Sequence, residues 1–357
     1  MVYQGFKEWL TPKERLAAMR AGKPYDRVPC DPFMGPFAAK VAGISVAEYH
    51  RSAKKMAESQ LTAYRKYGYD EVGLSIRVAT LRALGETVVY PEEAAPYITD
   101  RLIAGPDDLE RLSPLERLDD PYLQAAFEAA ELLVGEIGGE VPVSVGIRAP
   151  FSTAATLRGV EDFMKDLYYA PEFAHRILQF ALASTLPLIR KIHALGALVS
   201  ISDPVASGNL ISPKHYREYA FPYSRDLIQA IRSIGGAAPT LHICGNTTKI
   251  WQDMANTGAG ALSVQDGLDL ALMKQLVGER VTIAGNVRPT EAMYLGTPQD
   301  VEADVIKGLA QAQDNPKGYI VQLGCVLPLI SPEENLQAFM EAVRRHGQYQ
   351  REEEKLA

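Results

Sequence analysis

The sequence predicts an α/β protein built as a (β/α)8 TIM barrel, preceded by an N-terminal helical extension. Two observations carry this. From residue 142 onward, six apolar, β-branched runs alternate with amphipathic helical stretches, which is the pattern of a buried parallel sheet. The competing doubly wound sheet lacks its marks: no glycine-rich phosphate fingerprint follows the first strand, and the units repeat without a visible switch point. A barrel of about 250 residues plus decorations accounts for the 357-residue chain.

The elements follow in order. Residues 1–25 form the extension. Thr11-Pro12-Lys13-Glu14 opens its helix with an N-cap threonine, a first-turn proline and a first-turn acid, and Gly22 ends it. "RVPCDPF" reads as a short first strand. Residues 46–67 have helical periodicity closed by Gly68, and "EVGLSI" and "TVVY" are strand-like. Residues 107–138 hold two helical patches, the second opening at Asp119-Asp120-Pro121. Strand 142–147 then precedes helices 158–166 and 171–195, and strand 197–203 precedes a helix near 213–234. Strand 239–245 precedes helix 247–256, and strand 260–266 precedes helix 269–277. Strand 280–286 precedes helix 298–313, and strand 318–325 precedes helix 332–346. Residues 347–357 read as a solvated tail. No segment is rich enough in Pro, Gly or Ser to divide the chain, so 1–357 is predicted to be one domain.

Bulk properties exclude several classes. Net charge is −7 and the basic residues are dispersed, which argues against a nucleic-acid partner. No stretch approaches about 18 uninterrupted apolar residues, so no membrane span is expected. The first residues lack the apolar core of a signal peptide. Three cysteines, Cys30, Cys244 and Cys325, argue against a disulfide framework and for a reducing, cytoplasmic setting.

In a barrel, chemistry gathers at the C-terminal strand ends. Those ends carry Asp203, His242 with Cys244, Gln265 with Asp266, Asn286, and Cys325. Residues two apart on a strand share a face. Apolar Leu241 and Ile243 suit the helix-facing side, which turns His242 and Cys244 toward the lumen. Cys325 ends the last strand, across a lumen about as wide as its side chains. One imidazole and two thiolates suit Zn²⁺ with an open fourth position, the catalytic pattern. The other reading is core packing. Cysteine is among the most buried residue types, and the 81-residue gap between Cys244 and Cys325 has no metal-motif spacing. On spacing alone both readings stand. Cys30 reads as a buried thiol, and the five other histidines as surface or satisfied residues.

The chain also resembles a known family. "HICGNT", "AGNVRPTEAMYLGTPQDV" and "GYIVQLGCVLPLISPEENLQAFMEAVR" look like the uroporphyrinogen decarboxylase superfamily, nearest its zinc-dependent, corrinoid-linked methyltransferase branch. "LTPKERLAAMRAGKPYDRVP" and "GIRAPFSTAATLRGVEDFMKDLYYAPE" extend the likeness to the front of the chain. The resemblance implies a TIM barrel and makes His242, Cys244 and Cys325 zinc ligands. It implies an enzyme that moves a methyl group between a corrinoid protein and a small thiol such as coenzyme M. Asp203, Gln265 and Asn286 would stand nearby as substrate or supporting contacts, with Gln265 near the position of a weak fourth ligand.

Two departures argue against porphyrinogen decarboxylation. "CDPFMGPFAAK" lacks the arginine-rich segment of the decarboxylases, and "GLSIRVAT" replaces their second-strand aspartate near Ile76 or Arg77. A corrinoid-binding Asp-x-His-x-x-Gly is also missing. The nearest string, "KIHALG" at 191–196, has Lys191 in place of Asp, so the corrinoid (methylcobalamin chemistry) is expected from a separate protein. The reverse direction, demethylation of a methoxylated aromatic, and a non-catalytic tetrapyrrole-binding barrel are the alternatives. The hydrophobic Phe33, Met34 and Phe37 suit an aromatic donor and plain packing equally.

Overall fold

The computed structural model describes residues 8–349. Its strands are β1 (Cys30–Asp31), β2 (Val72–Ser75), β3 (Val88–Val89), β4 (Tyr97–Ile98), β5 (Val143–Arg148), β6 (Leu198–Ser202), β7 (Thr240–Ile243), β8 (Ala261–Val264), β9 (Thr282–Val287) and β10 (Tyr319–Leu323). Eight of them pair in the order β1-β10-β9-β8-β7-β6-β5-β2, all parallel. Helices cross between successive strands and cover the outside, giving the α/β barrel that the sequence predicts. The short strands are buried on both faces, which is why they read as apolar runs without alternation.

β1 and β2 are the two ends of the paired order, and few groups join them. Asp70 N donates to Cys30 O (2.8 Å), and Cys30 N donates back to the Asp70 carboxylate (2.7 Å). That carboxylate also accepts from Arg15 and from Arg27 Nη1 (2.6 Å). Arg15 is shared with Asp26 (2.6 Å), and Arg27 and Arg344 both reach Glu8 (3.0 Å each). Arg15, Asp26, Arg27 and Asp70 are all buried. Burial alone raises the Glu8 carboxyl, but the charges of Arg27, Arg15 and Arg344 prevail and hold it at about 2. The ion cluster thus ties the N-terminal helix Pro12–Arg20, both seam strands and the C-terminal helix Glu333–His346 together. The helix Pro12–Arg20 has the expected Thr11–Glu14 capping box, and its Leu16 forms the lumen floor.

Several elements differ from the sequence reading. The helix expected over 46–67 is divided at Ser52, which ends Val46–Arg51 and caps Ala53–Tyr67 through its side chain. "TVVY" forms no barrel strand; β3 pairs antiparallel with β4 in a separate ribbon. After β5 the helix begins at Pro150, eight residues earlier than expected, because Pro150 suits the first helical turn; Gly159, at φ +83°, then separates it from Val160–Tyr169. Residues Pro289–Tyr294 form a wide helical turn that periodicity did not indicate. The expected tail at 347–357 is corrected in part. Gln348 pairs with Arg27, and Tyr349 N donates to Asp26 O (2.8 Å), so 347–349 belong to the seam. Residues 350–357 lie outside the described residues, as do 1–7 of the extension. Among the described residues no helix is long and apolar enough to cross a membrane.

Removing one member of a buried ion cluster leaves its partners uncompensated, at a cost of about 3–5 kcal/mol. Asp70→Ala is expected to lower stability by that amount, read from urea and thermal unfolding. A change below about 1 kcal/mol would show that the seam does not depend on this carboxylate.

Candidate metal centre

His242 lies near the end of β7 with its side chain in the lumen, as alternation requires, and Ile243 is buried on the other face. Cys244 follows two residues on, and Gly245 then turns the chain at φ +74°. A Cβ there would stand 2.0 Å from Ser207 Oγ, so the turn that aims Cys244 inward has room for glycine alone. Cys325 follows β10 across the lumen. Gly324 before it is equally constrained, since a Cβ would lie 2.3 Å from the backbone nitrogen of Asp266.

These elements bring three ligand groups together. His242 Nε2 is 3.1 Å from Cys244 Sγ, and Cys244 Sγ is 4.0 Å from Cys325 Sγ. Among the described residues they form one group of His, Cys, Asp or Glu with all ligand atoms within 4.8 Å. The two thiols behave as a pair. The hydrogen bond from Cys244 draws the Cys325 thiol far below its ordinary range, with help from His242, while the same bond and burial push Cys244 up.

The other imidazole nitrogen is spoken for. His242 Nδ1 meets Ser263 Oγ at 2.9 Å, and Ser263 Oγ donates to Gln322 Oε1 (2.6 Å). Gln322 Nε2 in turn donates to Asp31 Oδ2 (2.7 Å). Because the serine proton goes to Gln322, Nδ1 carries the imidazole proton and Nε2 presents its lone pair to the two sulfurs. This is the tautomer a metal-binding histidine needs. The Phe33 ring packs edge-on against the imidazole, with centroids 5.5 Å apart.

The cluster opens onto a cavity of about 240 Å³ lined by Phe33, Met34, Leu74, Arg77, Ser202 and Val326 among others. The other sequence candidates stand behind this wall. Gln265 Oε1 accepts from Gly245 N (2.5 Å) and so pins the turn after Cys244. Asn286 Nδ2 donates to Gln265 O (3.2 Å) and Leu268 O (2.9 Å), holding the next loop. Asp203 is fully buried; its Oδ1 accepts from Ser152 N (2.9 Å) and Oγ (2.5 Å), and burial raises its carboxyl to about 6. Phe37 is core and does not line the cavity, whereas Phe33 and Met34 do. Cys30 is buried at the seam, and burial pushes its thiol up to about 12. Sequence reasoning missed Asp31, Ser263 and Gln322, although the same alternation that turned His242 inward also turns them inward.

The family model described as uroporphyrinogen decarboxylase (URO-D) matches residues 11–346. The chain belongs to the uroporphyrinogen decarboxylase family. Within that family it is 28% identical to the methylcobamide:CoM methyltransferase MtbA of Methanosarcina mazei, over 94% of this chain and 98% of the relative. A uroporphyrinogen decarboxylase of Chlorobaculum parvum is 27% identical over 67% of this chain and 71% of its own. A solved methyltransferase from Methanosarcina mazei has a TM-score of 0.84 at 25% identity, covering 94% of this chain and 99% of that one.

Asp31, at the far end of the His242 chain, generates a pH prediction. Burial, then the charge of Glu71, raises its carboxyl to about 7. The folded protein therefore holds a proton that the unfolded chain releases near pH 4, and stability falls as pH rises from about 4 to 7. Asp31→Asn removes this slope. Relative to the unchanged protein, the variant is expected to gain thermal stability progressively between pH 5 and pH 8; parallel melting curves across that range would refute it.

Proposed function

We propose that this protein is a zinc-dependent methyltransferase that moves a methyl group between the cobalt of a separate corrinoid protein and a small thiol, with coenzyme M as the first candidate. The observation that carries this reading is the convergence of His242 Nε2, Cys244 Sγ and Cys325 Sγ on one wall of an otherwise largely apolar cavity. Tetrahedral zinc, with bonds of about 2.1 Å to nitrogen and 2.3 Å to sulfur, sets neighbouring ligand atoms about 3.5–3.8 Å apart. The observed 3.1 and 4.0 Å bracket that spacing, so the donor set fits the ion in kind and in size. Relatives along nearly the whole chain bear the name methylcobamide:CoM methyltransferase, which supports the same reading.

When bound, zinc supplies Lewis acidity that lowers the pKa of a substrate thiol and keeps its sulfur nucleophilic near neutral pH. The protein's own residues do the rest. Ser263, Gln322 and Asp31 hold His242 in one tautomer and one orientation. Phe33, Met34, Leu74 and Val326 keep water from the reacting sulfur, which strengthens every charge interaction inside. Gln265, Asn286 and Asp203 are positioning residues that fix the strand-end loops. The transfer forms a sulfur–carbon bond, breaks the cobalt–carbon bond with its electron pair left on cobalt, and releases the thiol proton to solvent.

The corrinoid comes from a partner docked over the barrel mouth, because Lys191 and His193 lie within the helix Pro171–Ala194 rather than in a cofactor loop. A second reading, demethylation of a methoxylated aromatic, is favoured by Phe33 and Met34 on the cavity wall. Decarboxylation is disfavoured because Ile76-Arg77 stands near the place where the resemblance puts that reaction's aspartate.

Purified protein is expected to hold one zinc per chain. Cys244→Ala and Cys325→Ala should each weaken metal affinity by about a hundredfold or more, measured by competition with a chelator. The zinc-loaded protein should convert methylcobalamin to cob(I)alamin in the presence of a small thiol, followed by absorbance. Conversion only of cob(I)alamin with methoxyarenes would select the second reading. Metal content unaffected by either substitution would remove the zinc centre.

A further inference from the structure

The polar groups behind His242 form one continuous chain, and its hydroxyl, amide and imidazole can each donate and accept. His242 Nδ1 meets Ser263 Oγ (2.9 Å), Ser263 Oγ meets Gln322 Oε1 (2.6 Å), and Gln322 Nε2 meets Asp31 Oδ2 (2.7 Å). Sheet register builds the chain. His242 is in register with Ser263 and Asp31 with Gln322, so each pair shares a face. On β9 the residue opposite Ser263 is Ala284, a small cavity-lining residue that leaves the span to Gln322 open. His242, Ser263 and Gln322 are buried. Among the described residues the Ser263 hydroxyl and the Gln322 amide make no other hydrogen bonds.

Such a chain has one polarity at a time. With Asp31 ionised, Oδ1 accepts from Phe33 N (2.8 Å) and Oδ2 accepts from Gln322. Ser263 then donates to the amide oxygen and accepts from His242 Nδ1, so Nε2 keeps its lone pair. A proton on Asp31 belongs on Oδ2, because a backbone N–H holds Oδ1 as an acceptor. Oδ2–H has to donate, and the group it meets is the Gln322 amide. Turned over, that amide accepts through Oε1 and donates through Nε2 to Ser263. The hydroxyl now donates to His242 Nδ1. One proton leaves Nδ1 and one joins Nε2, facing Cys244 Sγ at 3.1 Å. The net gain is the single proton on Asp31. Its hydrogen bonds go to Phe33 and Gln322, not to a ligand residue. The ionisable groups around it are Glu71, Asp70, Tyr69 and its neighbour Cys30, with Arg77 elsewhere on the cavity wall. Asp70 is neutralised by Arg15 and Arg27; Lys40 is turned to Ser331 O and Tyr319 of β10 to Gly285 O.

We propose that Asp31 is a positioning residue whose proton sets the polarity of this chain, and through it the tautomer of His242 and the affinity of the centre for zinc. The ionised form presents the Nε2 lone pair; the protonated form places a hydrogen on it. Coupling between two sites is reciprocal, so zinc binding expels the Asp31 proton. The inference rests on the zinc reading for its affinity half only; the tautomer change belongs to the metal-free protein.

The test measures zinc affinity by competition with a chelator from about pH 5.5 to about pH 7.5. Calorimetry in buffers of different ionisation enthalpy counts the protons released. Thiol deprotonation gives every variant a common slope. Over that range the unchanged protein should lose about tenfold more affinity than Asp31→Asn, the value of one reversed hydrogen bond. It should also release more protons at about pH 6. Gln322→Met cuts the chain and leaves Asp31 free to titrate. This variant should keep the pH-dependent stability assigned to Asp31 yet lose the extra slope in zinc affinity. A through-space effect of the Asp31 charge would survive Gln322→Met, and its survival would overturn the proposal. In the metal-free protein, ring-nitrogen NMR of His242, assigned by its loss in His242→Gln, should pass from the Nε2–H to the Nδ1–H tautomer as pH rises through about 7. Gln322→Met should abolish that change. A tautomer that switches in a protein without zinc affinity keeps the chain and removes the zinc reading. Zinc binding with equal slopes in all three proteins, or a single neutral tautomer throughout, overturns the role of Asp31 and keeps the zinc reading.

Discussion

Asp70 joins the two ends of the eight-stranded sheet, accepting from Cys30 N with its carboxylate while its own N–H donates to Cys30 O. A sheet that does not close leaves backbone groups unpaired and a lumen without a wall. β1 is only two residues long, so its ladder cannot do this alone. A carboxylate flanked by Arg15 and Arg27 supplies the missing bonds, and those arginines also bring in the first and last helices. Closure thus rests on side-chain ion pairs and hydrogen bonds at the seam and on backbone ladders between the other strands. The two fully buried arginines, Arg15 and Arg27, are both at this seam, and each is neutralised by acids of the fold.

Once the barrel is closed, parallel register does most of the placement. Arg148, Ser202, His242 and Ser263 occupy successive positions in one row across β5 to β8. Each faces inward because its register neighbours do. The row joins a cation, a hydroxyl, an imidazole and the hydroxyl that orients it, without a long loop to hold any of them. A centre built on strands in this way is already ordered before any ligand arrives, which limits the reorganisation that binding demands.

Much of this was legible in the sequence, for identifiable reasons. The repeated strand–helix alternation marked the barrel, and two-residue periodicity turned His242 and Cys244 the same way. The meeting of Cys244 with Cys325 was a matter of barrel order and family likeness, since local spacing holds no record of it. The parts that escaped are those decided by tertiary contacts. Asp31, Ser263 and Gln322 look like ordinary polar residues until the register sets them in line. β5 runs one residue beyond its last apolar position, to Arg148. Ser52 divides a helix whose periodicity runs through the break, and "TVVY" has strand composition but pairs outside the barrel.

Gly324 meets the backbone nitrogen of Asp266 too closely for any side chain to lie between them. The strand-end turn carrying Cys325 and the loop after β8 are therefore in direct contact, main chain against main chain. That loop also carries Gln265, whose oxygen fixes the turn after Cys244. The two sulfurs are consequently linked through protein as well as through space: Cys325 to Gly324, Gly324 to Asp266, Gln265 to Gly245, Gly245 to Cys244. A backbone shift at either rim is therefore passed to the other through these contacts.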